Sequence, residues 1–82
     1  MFGKFEKRYY WMMDPDIRDD LLSSPAAFKI FVACLFEGIS ADAMYENHKL
    51  YERYGLNRNS LRIHATRVNK ALDEYWSVQG IC

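Results

Sequence analysis

Residues 50–76 read LYERYGLNRNSLRIHATRVNKALDEYW. A helix end, a glycine-bearing turn and a longer helix follow one another in this stretch. Gly55 stops the first helix, Leu56 plugs the turn into the core, and Asn57 offers a side-chain oxygen to cap the second. From Leu61 onward, Leu61, Ala65, Val68, Leu72 and Tyr75 recur at i, i+4, i+7, i+11 and i+14, one narrow apolar stripe at about 100° per residue. That side is expected to pack inward. The order of elements and the turn are those of a helix-turn-helix.

The opposite face of the same helix carries a different chemistry. Asn59, Arg62, Ile63, Thr66 and Lys70 gather there, with Arg67 beside them and Ser60 nearer the N-terminal edge. Arg can donate two hydrogen bonds to guanine, Asn can pair with adenine, and Ile or the Thr methyl can meet the methyl of thymine. Arg53 and Arg58 flank the turn and, with Lys70, are placed to meet phosphates. The expected DNA-binding set is therefore Arg53, Arg58, Asn59, Ser60, Arg62, Ile63, Thr66, Arg67 and Lys70. Between Arg53 and Lys70 there is no Asp or Glu, although the chain as a whole has a formal net charge of zero. Taken singly, Arg62, Arg67 and Lys70 also fit the solvated face of an amphipathic helix. Taken together with the turn and the cap, they point to duplex DNA.

The segment ERYGLN, followed by a helix with Arg67, Val68 and Lys70 near its middle, resembles the helix-turn-helix of the PapB-type adhesin-biosynthesis regulators of enterobacterial fimbrial operons. It is similar, less closely, to the TrfB/KorA plasmid repressors. The resemblance covers roughly the last half of the chain. It implies a small oligomeric bacterial regulator that binds AT-rich DNA, with Arg58, Asn59, Arg62 and Arg67 in the DNA-contacting helix.

Upstream, proline and glycine punctuate the chain. Asp14 and Pro15 form a helix-start signal, and Asp16 favours the positive end of the helix dipole, so a short helix is expected from Pro15 to about Leu22. Ser24 and Pro25 repeat the signal before AAFKIFVACLFEG, whose Ala27, Ile30, Phe31, Cys34 and Leu35 form a core stripe. Phe28, Val32 and Phe36 lie off that stripe, so this helix is expected to be covered on more than one side, by an N-terminal arm or a second subunit. Gly38 is placed to end it, and Ser40 to cap one helix over residues 41–54. Residues 2–13 lack a helical stripe and are rich in aromatics. They read as an extended arm or short strand whose Phe2, Phe5, Tyr9 and Trp11 pack on the helices or build a dimer contact, with a continuation of the helical core as the alternative. Trp76 is either the closing plug of the core or part of a subunit contact.

Composition bounds the rest. Eighty-two residues, 50% hydrophobic and 16% aromatic, exclude a disordered chain and fit one small all-α domain. No apolar run approaches the roughly 18 residues a membrane span needs, and no secretory signal is read, so a cytoplasmic location is expected. Two cysteines, Cys34 and Cys82, make neither a disulfide framework nor metal-ligand spacing. His48 reads as solvent-facing, His64 as bordering the core stripe, and Asp14, Asp16, Asp19 and Asp20 as a solvated helix start. No nucleophile-base pattern, phosphate loop or dinucleotide fingerprint is present, so no catalysis, cofactor or small-molecule substrate is expected. A single small module buries only about 600–1,000 Å² on DNA, which implies a homodimer or oligomer. The rival expectation is a protein-binding module, a small phage or plasmid factor that docks its aromatic surface on a host protein without touching DNA. The neutral net charge favours it.

Overall fold

The computed structural model describes residues 6–81, and every regular element among them is a helix: α1 (Lys7–Met12), α2 (Pro15–Leu22), α3 (Pro25–Glu37), α4 (Ala41–Glu46), α5 (His48–Arg53) and α6 (Arg58–Ile81). The helix starts follow the capping residues of the sequence. The Asp14 carboxylate accepts from the Asp16 amide, Ser24 Oγ from Ala27, and Ser40 Oγ from Ala43. Asn57 Oδ1 accepts from the amides of Asn59 and Ser60, closing the start of α6. Two glycines make the stops. Gly38 at φ 70° and Gly55 at φ 69° take the left-handed conformation that L side chains resist. After Gly55 the Leu56 amide reaches back to the Tyr51 carbonyl, which buries Leu56 beneath the turn.

Two expectations are corrected. Residues 7–12 are not extended: they form α1, and Tyr9 and Tyr10 are buried in the core. For this stretch the continuation of the helical core is what the structure has. Tertiary contact organises it, since the Glu6 amide donates to the Tyr75 hydroxyl at 2.7 Å and Tyr9 meets the Tyr75 ring edge-on at 5.9 Å. Phe2, Phe5 and Cys82 lie outside the described residues. Residues 41–54 are not one helix either. Asn47, at φ −111° and ψ 85°, breaks them into α4 and α5, and its side chain caps α5 through the Leu50 amide. An Asn carbonyl competes well with helical backbone for amide protons, which is why it is found at such joints.

Helix α6 is the spine. Its 24 residues, about 36 Å long, pack against α1, α2, α3 and α4. Leu61, Val68, Leu72 and Tyr75 of the expected stripe are fully enclosed, while Ala65 is half-buried. The helix runs past Trp76 through Gly80, bringing Val78 into the core as well. Trp76 is half-buried and packs on the core from the edge. Each enclosed large apolar side chain contributes about 1.5–3 kcal/mol. Tyr75 is the hub, with edge-on contacts to Tyr9 and Phe31. The outer side of α3 is covered in part by α1, where Tyr10 meets Phe28 at 5.9 Å; Phe28, Val32, Phe36 and Tyr54 line a groove of about 340 Å³. No helix among the described residues is long and apolar enough to cross a membrane.

Candidate nucleic-acid interface

Because α6 buries one side against four other helices, the side diametrically opposite stands in solvent. Asn59, Arg62, Ile63, Thr66 and Lys70 are all exposed along it, and Asp73 and Ser77 continue the same ridge toward the C-terminus. The basic, hydrogen-bonding portion is thus the first half of the helix. Ile63 is 60% exposed, one of the four most exposed large apolar residues of the described chain. Left largely in solvent between Arg62 and Thr66, its side chain is accessible for a contact.

The cations around this ridge are held in different ways. Arg62 donates to the Asn59 side chain at 2.9 Å, one helical turn back. Arg58 lies over the Tyr45 ring of α4, 4.6 Å from its centroid. That cation–π contact fixes the guanidinium beside the start of α6. Arg53 and Lys70 extend into solvent. Among the described residues none of these four has a carboxylate within ion-pair distance: the arginine–carboxylate pairs are Arg8–Glu6 and Arg67–Asp20.

Arg67 differs from its neighbours. It is only partly exposed and donates to Asp20 of α2 at 3.2 Å, while its other arm meets His64 Nδ1 at 3.3 Å. Asp20, read from sequence as part of a solvated helix start, is in fact a partner for the basic helix. Ser60 is half-buried on the same flank, facing a notch of about 150 Å³ lined also by Lys29, Gly55 and Asn57. Of the nine expected site residues, seven are exposed on or around the ridge, and Ser60 and Arg67, partly buried, lie to one side of it. His48 faces solvent and pairs with Glu52 at 2.9 Å; His64 is half-buried, with Ser24 Oγ at 3.5 Å.

Three residues that bear on this surface escape sequence reasoning. Tyr45 positions Arg58. Lys29 of α3 donates to the Gly55 carbonyl at 3.3 Å, which puts a cation over the turn. Asp42 shares with Tyr45, Arg62 and Ala65 a notch of about 280 Å³ between α4 and α6, setting a carboxylate at the edge of the basic face. All three act across the chain, where no local spacing signals them. The turn itself is braced by Tyr54, whose hydroxyl donates to Glu37 of α3. That bond to a carboxylate raises the Tyr54 pKa. Among the described residues no three of His, Cys, Asp and Glu come together as a metal site. Comparison with protein-family models, with curated proteins and with solved structures finds no match to this chain.

Proposed function

We propose that the chain is a sequence-preferring DNA-binding regulator of transcription that lays the first half of α6 in the major groove. One observation carries this reading: three cations without carboxylate partners among the described residues, Arg58, Arg62 and Lys70, and a row of hydrogen-bonding side chains stand on the exposed side of one helix, with Arg53 of α5 across the turn. In a surface helix that serves only solubility, opposite charges at i,i+4 pair with one another. From Arg58 to Lys70 α6 carries no acid, and Glu74, at i+4 from Lys70, accepts instead from the Asp14 amide. Asn59 and Arg62 would address base edges, with Ile63 and Thr66 against thymine methyls; Arg53, Arg58 and Lys70 would meet phosphates. The α4–α5 pair, the turn at Gly55 and α6 then act as a helix-turn-helix, in keeping with the resemblance to the PapB-type regulators. The exposed area of one such module is small, so a dimer or oligomer on repeated half-sites supplies the affinity. The mechanism is binding alone.

The test is fluorescence anisotropy of the purified protein with labelled random duplex at low and moderate salt. Binding is expected at low salt and falls steeply as counterions compete for the phosphates. Absence of binding to any duplex at low salt rejects the reading. The weight then passes to a protein-docking module, which the exposure of Trp11 (61%) and Met12 (54%) at the end of α1 would serve.

A further inference from the structure

A helix about 10–12 Å across fills a major groove about 12 Å wide, so sugar–phosphate strands run along both of its flanks. The two flanks of α6 are unequally supplied. Arg58 and Arg62 lie on one side of the ridge, both without carboxylate partners among the described residues. On the other side stand Ser60 and Arg67, and Arg67 is engaged by Asp20 and His64. The cation that reaches this second flank comes from another element. Lys29, on α3, extends past Ala26 and Ile30 to the notch it shares with Gly55, Asn57 and Ser60. It is exposed, and no carboxylate pairs with it among the described residues. Of the three donors on its ammonium, one is used on the Gly55 carbonyl at 3.3 Å, leaving two.

We propose that Lys29 is a phosphate-contacting residue of the duplex interface, supplied by α3 to the strand on the Ser60 side of α6. The inference rests on the duplex reading of α6 and widens the footprint beyond the turn and its two helices. A lysine here binds as a point charge, so its contribution is equal on every sequence. Its bond to Gly55 holds the ammonium at the turn before DNA arrives.

The experiment measures affinity for a random and a preferred 20-base-pair duplex between 50 and 200 mM NaCl, for the wild type, Lys29→Gln, Lys29→Met and Lys29→Arg, with helicity checked by circular dichroism. Methionine keeps the apolar stem and removes the charge, so one neutral variant remains if the other fails to fold. For the neutral variants the slope of log affinity against log salt becomes shallower by about 0.9, so the loss across that salt range is about 3.5-fold smaller than for wild type. The weakening is the same on both duplexes, and Lys29→Arg keeps the wild-type slope. A wild-type slope in the folded neutral variants overturns the inference and leaves Lys29 as a brace for the turn. Wild-type protein that binds neither duplex rejects the duplex reading itself, and the role of Lys29 with it.

Discussion

Asn69 shows how one side chain can join two elements. It is half-buried on α6, and its Oδ1 accepts from the Ala41 amide at 2.7 Å, one of the orphan donors at the start of α4. Asn69→Ala removes the acceptor and strands that amide beside the helix interface. A loss of about 1–2 kcal/mol in unfolding free energy by urea titration is expected, with Asn69→Asp milder because an acceptor is retained. No pattern in the sequence marks Asn69 for this role. By contrast Gly38, Gly55, Asp14, Ser24, Ser40 and Asn57 declare themselves, because a cap or a left-handed turn is a local event among four or five consecutive residues. Asn47 obeys the same rule and still went unread, since the apolar positions on either side of it continue one helical register.

Helix α6 has two chemically different sides, and substitutions on its exposed side test the duplex reading apart from the fold. Arg62 and Lys70 both stand outside the core, so neither holds the fold. Under the duplex reading Arg62 faces base edges while Lys70 faces a phosphate. Arg62→Ala is then expected to cost about 1–3 kcal/mol on a preferred duplex and much less on a random one, whereas Lys70→Ala weakens both alike and reduces the salt slope by about one. Equal losses for both variants on both duplexes would remove the base-reading role from Arg62. The period of the helix was plain from Leu61 onward, and its exposed ridge followed from that period. Two facts about it were not legible. Arg67 is tied to Asp20, 47 residues away, and Arg58 is stacked on Tyr45 of a different helix.

Taken together, the buried hydroxyls and the buried thiol give the molecule a defined response to alkali. Enclosure pushes the Cys34 thiol up from 9.0 to about 12. Burial also raises Tyr10 and Tyr75 above their ordinary 10.0, and the bond to Glu37 raises Tyr54. In each case the folded chain keeps a proton that the unfolded chain releases, so the unfolded state binds fewer protons and stability falls as pH rises. The contribution is fully present below about pH 9 and is lost progressively above it. Thermal melts followed by circular dichroism should show the midpoint dropping between pH 9 and 11, with a weaker drop for Cys34→Ala. A midpoint that holds or rises over that range contradicts the enclosure of these groups. Native Cys34 should also resist thiol reagents at pH 8, since it is both enclosed and protonated.

The amino-acid order by itself determined that the chain is helical, where α2, α3 and α6 begin, which glycines stop α3 and α5, and which side of α6 is oily. Each of these rests on backbone capping or on a period of 3.6 residues, and both are satisfied within a few positions of the chain. Only the tertiary structure decided that residues 7–12 coil against Tyr75, that an asparagine divides α4 from α5, and that Asp20, Tyr45 and Lys29 border the basic helix. Apart from the local cap at Asn47, these depend on partners 13 to 69 residues distant, brought into contact by the burial of α6 at the centre of the fold. Local propensity is weak for a six-residue aromatic segment, and it is the shared hydrophobic interior that selects its conformation.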